Sequence, residues 1–411
     1  MTARIGSVAG WMALALLAAR PAAAQDRVVV RPEPGTPVVA AEVLIAVGPA
    51  DEAEGKEGIT YLTARSVTAP ILPVLDSLTA QLTVQQHKDA VSFTVIAAPD
   101  NWEEATRTLL VALFRDPVDS VATVRQRTAT AAELEAREAS PADALARQVD
   151  AAVFGESHPW GRPAVGTAAS VGRIRVGEVD AFLRTGFTAD RAVVAIVGPV
   201  DADAAQALRA FMDPGPVRRT EVDAPDPAAE PVRQQYNSIT AWVAAVYPFG
   251  EDGDEEALRM LAELAVERVS FGPLRPQVYD SRAEVTRHAG GGELRLELVV
   301  PPREVEDWAQ RLSAAVAEYA GEALGEAQFA ERLRRFRGER MLELESPEAR
   351  ARALAREALI SGGTTARLAD VDGLTAARLH RAARSLGDPV IVFLGPFVEE
   401  EEESDDGGGS R

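Results

Sequence analysis

The chain of 411 residues contains no cysteine and only four histidines, His87, His158, His288 and His380. The first absence excludes disulfides, thiolate metal sites and lipid anchoring through an N-terminal cysteine. The second leaves few imidazoles for a metal site, and no two of them lie within one helical turn. Aromatic residues make up 5% of the chain, and Lys and Arg (43) are outnumbered by Asp and Glu (63), giving a net charge of −20. Phosphate backbones would be repelled by such a surface, so nucleic acid is not an expected partner. Serine-hydrolase chemistry has no GxSxG elbow to support it. Gly290-Gly291-Gly292 lacks the Lys and the spacing of a phosphate loop and reads as a hairpin turn.

Only the N-terminus carries a long apolar run. Arg4 precedes the stretch from Val8 to Ala19, and Ala22-Ala23-Ala24 supplies small residues before Gln25. This is the layout of a secretory signal peptide at 1–24. Arg20 and Pro21 interrupt the run before it reaches the ~20 residues that a membrane span needs. The expectation is a protein exported to the periplasm or secreted, with no membrane span after signal cleavage.

What is present is a chain of two similar halves. Residues 213–234 contain DPGPVRRTEVDAPDPAAE, with several prolines and little large apolar content, and read as a linker. It separates a domain at 25–212 from one at 235–398; the acidic run from 399 to 411 reads as a disordered tail. The first half closes on AVVAIVGP (Ala192–Pro199) and the second on PVIVFLGP (Pro389–Pro396). Ahead of each closing strand lie matching apolar positions: Ile174, Val179 and Phe182 in one half, Leu374, Leu379 and Ala382 in the other. These coincidences indicate internal duplication.

Both halves mix strands and helices. Val28–Val30, Ala40–Val47 and Val91–Ala97 read as strands, as do Ile239–Val246 and Leu294–Val300. Trp102, Ala105, Leu109 and Leu113 share one helical face, and Ser140-Pro141 has the form of an N-cap and first helical residue. Further helices are expected over 255–269, 305–320 and, as a single long element, 326–359. The predicted class is α+β: two homologous sandwich domains with helices on one face of a largely antiparallel sheet.

Several ordered landmarks resemble the insulinase/pitrilysin metallopeptidases. AVGPADEAEGKEGITYLTARS (Ala46–Ser66) is similar to the strand, acid-rich turn and glycine that lead into that family's zinc helix. The segment from Leu75 to Pro117 resembles the helix, strand and helix that follow, and HPWGRPAVGT (His158–Thr167) matches the family's His-Pro-aromatic-Gly-Arg-Pro segment closely. The resemblance implies half of a clam-shell, completed by a second subunit to enclose peptides.

It also implies an HxxEH helix, in which two imidazoles one turn apart hold zinc and the Glu activates water. Tyr61, Ala64 and Arg65 stand at those three positions here. None can do the work: alanine accepts no proton, and arginine is a fixed cation. Glu133 falls at the place of the third zinc ligand, and an ion pair from Arg65 to Glu133 is expected to join the same two helices. An Arg and a Tyr that contact substrate in such assemblies would correspond to Arg275 and Tyr279, although Arg282 stands at the spacing proper to the Tyr. No metal or catalytic residue is therefore expected in this chain. Zinc is expected only in a partner bearing HxxEH, so that the two would form a heterodimer acting on peptides. The alternatives are a stand-alone peptide-binding scaffold and a metallopeptidase with a rebuilt site.

Overall fold

The computed structural model describes residues 27–201, 203, 206–213, 215–270, 278–361 and 371–397. The segment expected to be a signal peptide, 1–24, together with Arg275 and the acidic run at 399–411, lies outside these residues.

In the first half the order is β1 (Val28–Pro32), β2 (Val39–Ile45), α1 (Ile59–Thr68), α2 (Leu72–Ser77), β3 (Gln81–Gln86), β4 (Val91–Ala97), α3 (Trp102–Phe114), α4 (Ser120–Glu138), α5 (Pro141–Phe154), α6 (Ala168–Gly172), α7 (Val176–Gly186), β5 (Ala192–Gly198) and α8 (Gln206–Arg209). The second half follows with β6 (Val232–Gln235), β7 (Ala241–Gly250), α9 (Glu255–Ser270), β8 (Asp280–His288), β9 (Gly291–Val300), α10 (Val305–Gly321), α11 (Glu326–Glu343), α12 (Pro347–Ser361), α13 (Ala376–Ser385) and β10 (Val390–Gly395).

Each half builds a five-stranded sheet, in the orders β1-β5-β2-β4-β3 and β6-β10-β7-β9-β8. The two orders superimpose strand for strand, and among the described residues the only parallel pair in each is the one at the first edge, β1 with β5 and β6 with β10. The α+β class and the duplication are thus both present in the structure. The β8–β9 hairpin turns at Gly290, whose φ of +87° suits a residue without a Cβ.

The sheets are covered more fully than a one-faced sandwich requires. One face of the first sheet packs on α1, α2, α3 and α7, through residues such as Val43, Ile45, Phe93, Leu109 and Leu183. Its other face, with Ala40, Leu44, Ala195 and Val197, is covered by Ala351, Leu354, Ala355 and Ala358 of α12, which comes from the second half. The second sheet packs on α9, α10, α11 and α13, and its other face is covered by Leu145, Val149 and Val153 of α5, from the first half. Burial on both faces explains why β2 and β5 have no exposed residue and no alternating pattern.

Two sequence expectations change. The helix expected over 326–359 is two helices, because Ser346 caps a new start at Pro347, its hydroxyl accepting the Ala349 N–H at 3.0 Å. The strand expected from Ile239 begins at Ala241, and Ile239 is 94% exposed.

Candidate functional site

The helix that would carry a zinc motif is held at its start by a buried carboxylate and a crossing of two glycines. Gly58 sits at the N-cap with φ +88° and has no side chain to cap with. Glu52 does it instead, accepting the N–H groups of Gly58 and Thr60 at 2.9 and 3.0 Å. Burial raises the Glu52 carboxyl above the usual range, against the pull of those hydrogen bonds. A Cβ on Gly58 would stand 2.4 Å from the Val165 carbonyl, and one on Gly166 would stand 2.4 Å from that of Glu57. The loop after HPWGRP therefore lies directly on the entry to α1. His158 orders that segment through Nδ1, which accepts the Trp160 N–H at 3.0 Å, and Arg162 pairs with Glu57 at 3.2 Å.

Along α1 the buried face carries Ile59, Leu62, Ala64 and Val67, and Ala64 is wholly enclosed in the first core. The position at which the resemblance puts a water-activating glutamate is thus a methyl group inside packed side chains. Tyr61 and Arg65 occupy the partly open face. The Arg65 guanidinium donates to the Tyr61 hydroxyl at 3.3 Å and forms an ion pair with Glu133 of α4. Burial would lower the Arg65 pKa, but the Glu133 carboxylate and the Tyr61 hydroxyl hold it above its ordinary value.

Zinc does not fit this donor set. A guanidinium offers no lone pair, and the phenol oxygen and the lone carboxylate face a cation already in place. Among the described residues, no group of three or more His, Cys, Asp or Glu side chains is arranged to hold a metal ion. Tyr279 is 65% exposed just before β8, and Arg282 pairs with Glu284 on the same strand at 2.8 Å.

Beside Glu133, a cavity of about 550 Å³ is lined by Leu134, Arg137, Asp143, Arg147 and Thr167, and reaches Gln86 at the end of β3. A second of about 530 Å³ shares Gln86 and Asp150 with it and runs between the halves. Its walls hold groups that sequence reasoning did not single out. Lys88 forms an ion pair with Asp150, lies 3.7 Å from Glu293 and stands 4.8 Å from the centre of the Phe154 ring. Asp89 takes a two-pronged pair from Arg356 of α12 at 2.8 and 3.0 Å, and accepts the Ala289 N–H at 2.8 Å. Burial would raise Asp89, yet Arg356 holds it below the usual range. His288 is 3% exposed with its ring 5.0 Å from that of Trp160, and burial lowers it to about 4. The one cue in the sequence is HKD (His87–Asp89), which reads as loop and gives no sign of the other half.

β3 is an edge strand. It pairs with β4 and, among the described residues, has no strand on its other side. The other three sheet edges carry charge or proline: Arg31 and Pro32 on β1, Arg233 on β6, and Asp280, Arg282, Glu284 and Arg287 on β8. β3 reads QLTVQQ and carries neither.

Comparisons with known proteins agree with this geometry. No family model matches the chain. An 83-residue stretch is 40% identical to an uncharacterized zinc protease of Mycobacterium bovis, covering 20% of this chain and 19% of that protein. A stretch of 192 residues is 28% identical to an uncharacterized zinc protease of Mycobacterium leprae, covering 44% of this chain and 42% of the relative. The chain thus aligns with less than half the length of either relative. Among solved structures, it is similar to the inactive domain of an M16 peptidase from Pseudomonas fluorescens, with TM-score 0.76, 16% identity, and 90% and 96% of the two chains covered. A protease from Helicobacter pylori superimposes with TM-score 0.78 and 16% identity, over 91% of this chain and 98% of that one. Over these lengths the chain shares the two-domain fold of M16, or insulinase-like, peptidases, which its sequence also resembles, and it lacks their HxxEH motif.

Proposed function

We propose that the chain is an exported, non-catalytic subunit that forms one wall of a peptide-handling chamber, completed by a zinc-bearing relative. The observation that carries this reading is Arg65, paired to Glu133 where a metal ligand would stand, with Ala64 sealed in the core beside it. Charge now joins helices that coordination joins in an active relative, so the scaffold is kept without the reaction.

The uncharged edge of β3 supports a role in holding peptides. Natural sheet edges are guarded by charge, proline or bulges, and β3, with exposed Gln81, Thr83 and Gln85, has none of these guards. An extended peptide added there would gain main-chain hydrogen bonds and run toward the cavity at Gln86. This same edge favours the second reading, a peptide-binding scaffold that works without a protease.

Both readings are tested by co-expression with HxxEH-bearing chains and by peptide binding to the purified chain. The subunit reading expects a stable one-to-one complex whose peptidase activity depends on the relative's Glu. A self-sufficient homodimer that binds peptides favours the scaffold. In either case Thr83→Lys with Gln85→Lys weakens peptide binding by about tenfold or more, since charge is placed on the accepting edge; unchanged binding removes β3 from the account.

A further inference from the structure

The face between the first sheet and α12 is lined mostly by small and branched apolar side chains, with one buried carboxyl beside the hydroxyls of Ser92 and Thr94. Glu42 lies between Ala40 and Leu44 on the α12 side of β2 and is 1% exposed. Thr94 Oγ1 donates to Glu42 Oε2 at 2.6 Å. Arg352 of α12 donates from Nε to the same Thr94 oxygen at 3.2 Å and pairs through Nη2 with Glu348.

The duplication supplies a control for this position. Glu42 pairs with Ala195, three residues before Gly198, and in the second sheet Ala244 pairs with Val392, three residues before Gly395. Ala244 therefore occupies in the second half the place of Glu42, and it packs in the apolar cluster beneath α5. A methyl group satisfies the packing of a helix across this sheet. The carboxyl in the first half is not demanded by the fold, and its burial costs free energy that the alanine avoids.

We infer that Glu42 is a proton-operated catch on α12. Protonated, it is a neutral partner inside the seam. Ionised, it is a buried anion with few donors, and α12 lifts more readily from the sheet. The groups facing it are the hydroxyls of Thr94 and Ser92 on β4 and the charges of Arg352 and Glu348 on α12; β5 offers only Ala195. Arg356, Asp89, Lys88 and His87 line the same cavity, and desolvation together with the charges of Arg356 and Arg352 lowers His87 to about 4. Burial raises Glu42 to about 7, against the lowering pull of Thr94, Ser92 and Arg352. Because the folded value lies above the unfolded one, the stability this group lends the seam is complete below about 4.5 and is lost as pH rises through about 7. The catch acts on one of the two exchanged helices, so the grip of the second half on the first would vary near neutral pH.

Hydrogen exchange of the α12 and α5 amides, corrected for intrinsic rates, tests this in the whole chain, comparing wild type with Glu42→Gln and Glu42→Ala. The expected result is that α12 opening in wild type relative to Glu42→Gln grows about tenfold between about pH 5.5 and about pH 8.5, while the same ratio for α5 stays constant. Taking the ratio cancels groups common to both proteins, His288 included. Equal pH dependence in the two proteins, or equal changes in α5 and α12, would overturn the inference. Should Glu42→Gln not fold, Glu42→Ala places the residue of the duplicate half there, and a carboxyl carbon resonance titrating near neutral pH in wild type must vanish in its spectrum. Absence of such a resonance also overturns it.

Discussion

Arg65 on α1 and Glu133 on α4 are joined by an ion pair, with Tyr61 as a second acceptor for the same guanidinium nitrogen. The side chains are 25% and 42% exposed, which places the pair among partly solvated bridges rather than buried ones. Such pairs contribute ~0.2–1 kcal/mol. Glu133→Ala should therefore lower the unfolding free energy, measured in urea, by up to about 1 kcal/mol. A variant no easier to unfold than wild type removes the idea that charge holds these helices together.

Restoring ligands tests whether this is the place of the zinc site. Tyr61→His with Arg65→His would set two imidazoles one turn apart on α1, facing the carboxylate of Glu133. The double variant should take up one zinc per chain by calorimetry and melt at higher temperature with zinc than without. It should hydrolyse nothing, because Ala64 remains. Failure to bind zinc in a folded double variant would mean that α1 and α4 are not disposed as in an active relative.

The seam between the halves has a larger stake than the silent site. Lys88 and Asp150 have side chains 13% and 16% exposed, so removing one partner strands a charge in a protected place. Burial raises Asp150 while Lys88 pulls it down. Asp150→Ala should cost about 3 kcal/mol by chemical denaturation, and Lys88→Met combined with Asp150→Leu should recover much of it. A single variant within a few tenths of a kcal/mol of wild type would show that the pair is not shielded.

His288 gives the seam an acid limit. Its folded value of about 4 lies below the unfolded 6.5, so its contribution is whole above about 6.5 and is lost as pH falls toward about 4. His288→Phe fills the same space between Trp160 and Phe154 without a titrating nitrogen. Its melting temperature should fall less than that of wild type between about pH 7 and about pH 5. Parallel curves for the two proteins would show that His288 is as free to protonate in the native state as in the unfolded one.

Much of the architecture is legible in the sequence, because it rests on local signals. VVAIVGP and VIVFLGP mark two closing strands with the same boundary residues, and Ser140-Pro141 announces a helix start. Ser346-Pro347 carries the same cue inside a charged stretch that reads as continuous helix. What no local pattern discloses is the exchange of α5 and α12. An apolar stripe states that a helix is buried but not which sheet buries it, so Glu42 reads as a lone polar residue in a strand until α12 is seen above it. The span 213–234 looks like a bare linker, yet Arg218 pairs with Asp190 and the Ala228 N–H reaches the Ala152 carbonyl at 2.7 Å. Its residues from Val232 onward already belong to β6. Of the degenerate site, residue types were plain from the motif. The enclosure of Ala64 and the engagement of Arg65 needed the fold.

The central claim is that this chain alone cannot hold a water-activating metal. Metal content by mass spectrometry of the purified chain, after exposure to zinc and desalting, paired with an assay of peptide cleavage, tests it most directly. The account predicts far less than one zinc per chain and no cleavage. One tightly held transition-metal ion between α1 and α4, accompanied by cleavage that a chelator abolishes, would contradict it.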